Sequence, residues 1–323
     1  VVLVLSGKDV RSLIGPREAL SVATEFFRTF DEGDYRIPER TVLADEGEGY
    51  VWLFMPSSSR ALNALALKVV NEYRRNPELG LPHAQGLTLL HDLSNGRLLC
   101  LLDSHALTQV RTAAMTCVAA DRLSSGGAEV LAVIGSGDQA RVNAEYLKEV
   151  LRPSSIRVYS RSRERREAFA AELERLLGIE VTVCGSPSEA LKGADAVLTA
   201  TNSATPVLNG DDLEEDALVM SLGALPTRRE LDLRTFERTS FVCADRRASV
   251  VKEAGDVIEA LRRGVLREDE IAELPEVVRG SKEPVTSGIR VYKSVGFAAI
   301  DLFFSLRLYE MARDRKVGRE VEL

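Results

Sequence analysis

The chain has 323 residues, 45% of them hydrophobic and 28% charged, which excludes a disordered or fibrous protein and leaves room for two domains with separate cores. A net charge of -7 offers no basic excess to displace counterions from nucleic acid, so the expected partners are small metabolites, not nucleic acid. Four scattered cysteines without a CxxC and only three histidines argue against any metal site and for a reducing compartment; the opening run Val1 to Leu5 is too short for a signal or a membrane span, so a cytoplasmic location is expected.

In chain order, Val1 to Leu5 reads as a strand, and Gly15-Pro16 opens a helix with Ala19, Val22, Ala23, Phe26, Phe27 and Phe30 at helical spacing. Strands follow at 40–43 and 50–55 around the acidic turn 45–49, then at 64–71, 84–91 and 97–103, with Ser94-Asn95-Gly96 turning between the last two. This predicts a mainly antiparallel sheet with one helix at its start. Helical spacing takes over from Leu107 to Leu123, and Ser124-Ser125-Gly126-Gly127 breaks it.

From Glu129 strands and helices alternate: strands at 130–134, 155–159, 180–184 and 196–200, helices at 139–150, 164–177 and 187–191. Alternation of this kind specifies a parallel sheet with right-handed crossovers. Further strands are expected at 217–222 and 240–244, a helix at 250–263, and a final amphipathic helix at 301–313 that could pack back on the first domain. The fold class is therefore α/β, a Rossmann-type dinucleotide-binding domain plus a discontinuous α+β domain. The expected boundaries are residues 1–112 with 300–323 for the substrate-binding domain and 113–299 for the dinucleotide-binding one.

The first strand of the alternating region runs directly into Gly135-Ser136-Gly137-Asp138-Gln139-Ala140, a G-x-G-x-x-A turn that opens a helix. Gly135 permits the tight turn, Gly137 leaves room for a pyrophosphate against backbone, and Ala140 lets the helix pack close to the strand. The free N–H groups of the first turn and the helix dipole then favour the phosphates. At the end of the second strand, where a carboxylate would bind both ribose hydroxyls of NAD, this chain has Ser160-Arg161-Ser162. A guanidinium flanked by two hydroxyls suits a 2′-phosphate, so NADPH is favoured, with NADH bound more weakly. Thr201 and Asn202, after the 196–200 strand, and Ser221 complete the expected cofactor set.

Several motifs together resemble the ornithine cyclodeaminase and mu-crystallin family over nearly the whole chain: Arg40 in IPERT, Met55-Pro56, Lys68 in LKVVN, Arg111 in RTAA, IGSGDQA, YSRS, Gly193-Ala194-Asp195, Arg229 to Asp232, Lys252 to Asp256 and Lys293 to Gly296. The resemblance implies a homodimer formed through the discontinuous domain. It also implies that Arg40, Lys68 and Arg111 converge on the carboxylate of an amino or imino acid, as forked guanidinium and ammonium donors can. Lys68 stands out by its own surroundings, since Ala64 to Val70 is otherwise apolar; on an alternating strand it could equally point to solvent.

One departure separates the family's chemistries. Cyclodeaminases and some dehydrogenases of the family carry an aspartate before a proline in the loop that here reads Leu222-Gly223-Ala224-Leu225-Pro226, without a carboxylate. A base that activates water or deprotonates an amine is then missing, and no nearby anion able to pull a proton from an amine is expected. The expected activity is reduction of a cyclic ketimine carboxylate, pyrroline-2-carboxylate or piperideine-2-carboxylate, to L-proline or L-pipecolate, with Lys68 relaying a proton or gripping the carboxylate. His83 is an alternative donor, though a structural role is the better reading. Alanine dehydrogenase, ornithine cyclodeaminase and a non-enzymatic binding protein are the competing readings.

Overall fold

The computed structural model describes residues 1–45, 47–285 and 287–322; Glu46 of the acidic turn lies outside them. The chain divides into two compact units, Val1–Arg111 with Phe297–Leu323, and Thr112–Gly296. No helix among the described residues is long and apolar enough to cross a membrane.

In the first unit, β1 (Val2–Leu5) leads to α1 (Gly7–Leu13), a helix that the sequence pattern does not announce because seven residues show too little periodicity. Ser6 and Asp9 close a capping box at its start. Next comes α2 (Pro16–Thr29), with Pro16 in the first turn, where a missing N–H costs nothing, and Phe26 and Phe27 on its buried face. The strands β2 (Tyr35–Arg36), β3 (Thr41–Asp45), β4 (Tyr50–Ser59), β5 (Ala64–Tyr73), β6 (Ala84–Asp92) and β7 (Leu98–Asp103) follow, then α3 (Ser104–Leu123) begins. The C-terminal helix Ala298–Arg315 and a strand Arg319–Val321 complete the unit.

The sheet runs in the order Arg319–Val321, β1, β7, β6, β5, β4, β2, with β3 also on the free side of β4. The meander β4 to β7 is antiparallel as the alternation predicts, whereas β1 joins β7 in parallel. Strand β4 pairs with β3 as far as Phe54 and with β2 from Ser58, so Pro56 sits at the gap between them, where no ladder bond needs its missing N–H. Cross-strand register sorts the two faces. Met55, Lys68, Thr88 and Leu102 form one inner row, and Ser57, Ala66, Leu90 and Cys100 the next; all eight are buried. The C-terminal helix covers these rows: Ser57 Oγ donates to the Ala298 carbonyl, and Phe303 packs on Phe26.

That helix corrects an expectation. It begins at Ala298, and every residue from Ala298 to Ser305 is buried, Asp301 and Ser305 included, so its first half has no polar face turned to solvent.

The second unit builds on β8 (Val130–Ile134), α4 (Asp138–Leu151), β9 (Ser155–Tyr159), α5 (Arg163–Leu177), β10 (Glu180–Val183), α6 (Pro187–Leu191), β11 (Ala196–Thr199) and β12 (Leu218–Ser221). Then come α7 (Leu233–Arg238), β13 (Thr239–Ala244), α8 (Arg247–Glu253), α9 (Gly255–Arg262), β14 (Ile271–Glu273), α10 (Leu274–Val278) and β15 (Ile289–Lys293). All eight strands are parallel, in the order β10, β9, β8, β11, β12, β15, β13, β14. This is the doubly wound Rossmann arrangement, with the strand order reversing beside β8, where such sheets bind ligands.

Helix α7, strand β14 and helix α10 are too short to be announced by the sequence pattern, and two longer elements also depart from it. The single helix expected at 250–263 is two helices, broken at Ala254, because Gly255 packs so closely that a Cβ there would meet the Pro226 carbonyl oxygen at 2.4 Å. Strand β15, fully buried between β12 and β13, has no counterpart in that pattern.

Candidate active site

Lys68 belongs to the inner face of β5, and its ammonium is 2% exposed. An ammonium there requires a partner, because an isolated buried charge is too costly to keep. The C-terminal helix supplies it: Lys68 Nζ donates to Asp301 Oδ1 at 3.0 Å, and Arg111 Nε, arriving from α3, donates to the same oxygen at 3.0 Å. Burial pushes the Lys68 pKa down to about 8; Asp301 opposes that, and the positive charges of Arg111 and Arg40 reinforce it. Burial acts on Asp301 in the opposite direction, raising its pKa, yet Lys68 and Arg111 outweigh it and hold the carboxyl below its ordinary value.

Arg111 and Arg40 therefore both act electrostatically on Lys68 within the first unit. Arg40 stands just before β3 and is half-buried. An anion accompanies the cations: Asp301 accepts from two of them. Held ionised by both, it is a weak base and not a substitute for the aspartate missing from the loop after β12. Its sequence position, in the first turn of a helix read as amphipathic, pointed to solvent; its partner Lys68 lies 233 residues away. His83 is exposed, its Nδ1 3.0 Å from the Tyr73 carbonyl oxygen and its Nε2 3.7 Å from Glu72 Oε2.

In the second unit, the turn after β8 has the geometry that a dinucleotide requires. Gly135 has a φ of +129°, and a Cβ there would lie 2.4 Å from the Ala200 carbonyl oxygen, so only glycine fits. Gly137 caps α4 without a side-chain hydrogen bond and faces open space, with no atom within 4 Å of where its Cβ would be. Helix α4 opens with Arg141 N donating to the Gly137 carbonyl, so among the described residues the N–H groups of Gln139 and Ala140 in its first turn have no intrahelical acceptor, and donors of this kind suit an anion. Asn143 Nδ2 holds Gln139 by its backbone and side-chain carbonyls. These residues fit a pyrophosphate.

Ser136 Oγ donates to Ser160 Oγ at 3.1 Å, which brings the turn and the end of β9 together. Ser162 is the N-cap of α5 and accepts from Arg165 N; Arg161 beside it is exposed. Arg166 adds a feature that the motif does not contain: its guanidinium lies over the Tyr159 ring and donates to the Ser160 carbonyl.

Beyond β11 and β12 a buried polar network shapes the loops. Glu230 Oε2 accepts from Thr199 Oγ1, Ser221 Oγ, Leu222 N and Gly223 N, and its Oε1 accepts from Thr201 N. Lys293 Nζ bridges Ser221 Oγ at 2.8 Å and Asp256 Oδ2 at 2.7 Å, while Asp256 accepts from Glu230 N and Leu231 N. Ser221, expected at the cofactor, thus has its hydroxyl committed to Glu230 and Lys293. Thr201 is tied down by backbone, and Asn202 is exposed. Leu225 is held at a φ of +91°, a strained value for a branched side chain. Lys293, Asp256 and Glu230 lie in motifs already noted, but nothing local in the sequence announces that they share one network.

A doubly wound parallel sheet with an open anion-binding turn, accompanied by a unit that buries a lysine, an arginine and an aspartate together, defines an NAD(P)H-dependent oxidoreductase. A family model described as ornithine cyclodeaminase/mu-crystallin matches residues 1–316, and the chain belongs to that family. It is 32% identical to a Delta(1)-pyrroline-2-carboxylate reductase of Bacillus cereus, covering 99% of each chain. It is 34% identical to the ketimine reductase mu-crystallin of Mus musculus, covering 92% of this chain and 91% of that one. Among solved structures, the Thermococcus litoralis Delta(1)-pyrroline-2-carboxylate reductase in complex with NADH and L-proline superposes with a TM-score of 0.94 at 32% identity, over 99% of this chain and all of the other.

Proposed function

We propose that the protein reduces a cyclic ketimine carboxylate, pyrroline-2-carboxylate or piperideine-2-carboxylate, to L-proline or L-pipecolate, with NADPH preferred over NADH. The observation that carries this reading is the pairing of a buried Lys68–Asp301–Arg111 cluster with a loop, Leu222 to Arg229, that contains no carboxylate. The relatives named for pyrroline-2-carboxylate and ketimine reduction support it.

A bound reduced nicotinamide supplies the hydride to the C=N carbon. Arg40, Lys68 and Arg111 provide positive charge for the substrate carboxylate, and Lys68 is the group able to hold a proton for the ring nitrogen. With its pKa near 8 the ammonium predominates at neutral pH yet releases its proton more readily than an ordinary lysine. No base is needed, because reducing C=N to CH–NH adds a hydride and a proton and removes none, and the proton is the one that Lys68 holds for the ring nitrogen.

Steady-state assays with each dinucleotide against both cyclic imines, pyruvate plus ammonium, and L-ornithine test the reading. The cyclic imines should show the highest kcat/KM. A higher value for pyruvate plus ammonium, or conversion of ornithine without net cofactor consumption, would overturn it.

The preference for NADPH rests on Ser160, Arg161 and Ser162 at the end of β9. Arg161→Ala should raise the NADPH dissociation constant by about 10–100-fold, the loss of one charge-assisted contact to phosphate, and leave NADH within about twofold. Equal losses for both, read by titrating the nucleotide fluorescence, would remove Arg161 from the 2′-phosphate.

A homodimer is also proposed, on the outer face of the first unit's sheet. Register places Leu43 beside Trp52, and Phe54, Val69 and Leu87 in one row, with Pro56, Leu67 and Leu89 in the next; Leu43 and Leu87 are 56% and 53% exposed. An apolar sheet face of this extent, opposite the face that the C-terminal helix covers, is suited to a second copy. Leu87→Lys should convert a sedimenting dimer to monomer; a wild-type monomer would refute the assignment.

A further inference from the structure

Among the described residues four carboxylates are buried to 1% exposure or less: Glu230, Asp245, Asp256 and Asp301. Three of them tie down backbone. Glu230 accepts from the N–H groups of Thr201, Leu222 and Gly223, Asp245 from those of Arg246, Val295 and Gly296, and Asp256 from those of Glu230, Leu231 and Val257. Backbone donors of this kind make a carboxylate a structural tie, at Asp256 as well, where the Lys293 ammonium shares the oxygen that holds Glu230 and Leu231. Asp301 is different: its Oδ1 accepts from the Lys68 ammonium and the Arg111 guanidinium, and its Oδ2 accepts no hydrogen bond from the described residues. Among the described residues its carboxylate accepts from these two site cations alone, and from no backbone N–H.

We propose that Asp301 is a positioning residue for the reaction, fixing the directions of Lys68 and Arg111 through one shared oxygen and balancing one of their two charges. This rests on the ketimine-reductase reading for the step that it serves. Lys and Arg side chains are long and rotamer-rich, and two of the same sign brought together without an anion would turn away from each other. The first turn of the C-terminal helix is a favourable place for the counter-charge, because the helix dipole adds to it. The groups that act on Lys68 are Arg111 from α3, Arg40 from the segment before β3 and Asp301 from the C-terminal helix, while its row neighbours Met55 and Thr88 on β4 and β6 are uncharged. Asp301 alone among them favours the proton on Lys68.

Two variants separate charge from position. Asp301→Asn keeps the shape and removes the charge, so the Lys68 midpoint should fall by about one pH unit or more. That midpoint is read by NMR titration of ¹⁵N-lysine-labelled protein, with the Lys68 signal assigned by its absence in Lys68→Arg. The alkaline limb of kcat/KM for the cyclic imine should move down by the same amount, and NADPH affinity should stay within about twofold. Asp301→Glu keeps the charge but displaces the oxygen by one methylene; its limb should stay close to wild type while kcat drops about tenfold or more.

An unchanged Lys68 midpoint in Asp301→Asn overturns the proposal, and so does an unchanged kcat in Asp301→Glu, which decides the matter if the Asn variant does not fold. Should the wild-type enzyme reduce no cyclic ketimine, the functional reading fails, and the lysine titration still judges Asp301 by itself.

Discussion

Lys68→Met is expected to lower cyclic-imine turnover by about 10²–10⁴-fold while the NADPH dissociation constant stays within about twofold of wild type. Methionine is close to lysine in length and fits an inner row beside Met55 and Leu102. Asp301 keeps Arg111 as a partner, so no lone charge is left buried, and thermal unfolding should shift by only a few degrees. The loss is therefore chemical, not structural. In the wild-type enzyme the same residue sets a pH dependence: the protonated form serves the reaction, so kcat/KM should be flat near neutrality and fall as pH rises through about 8. A variant that retains wild-type turnover, or a profile without that alkaline fall, would take Lys68 out of the chemistry.

The second large effect concerns the turn after β8. Gly135→Ala should abolish measurable dinucleotide binding and cost about 2–4 kcal/mol of stability, because its Cβ cannot coexist with the Ala200 carbonyl and the residue must keep a φ of +129°. Gly137→Ala meets no atom of the protein, so its unfolding temperature should match wild type. Its methyl group instead occupies the space expected for the pyrophosphate, and affinity should drop by about 100-fold or more, the loss of two or more charge-assisted contacts. Measuring both variants by nucleotide titration and thermal unfolding separates architecture from recognition. Wild-type affinity in Gly137→Ala would move the phosphates elsewhere.

What the sequence made legible was local. The turn from Gly135 to Ala140, strand β9 and helix α6 follow from neighbours a few positions apart, through alternation, helical spacing and glycine placement. Lys68 was conspicuous for the same reason, as a charge inside an apolar run. Asp301 was not, because a lone acidic residue in a helix pattern reads as surface, and only its distant partners reveal otherwise. Lys293 and Glu230 were hidden likewise: each is satisfied by groups that no spacing rule connects. The break at Ala254 is also tertiary in origin, forced by the close approach of Gly255 to the loop after β12.

The placement of Asp301 on the last long helix has a consequence for biosynthesis. A nascent chain that has emerged as far as Gly296 already contains every strand of the parallel sheet, but β4 to β7 still lack the cover that Ala298–Arg315 brings. Until then the ammonium of Lys68 has no counter-ion and the rows around it remain wet, so the half that came off the ribosome first is the half that matures last. Chaperone dependence and premature-termination damage should concentrate there.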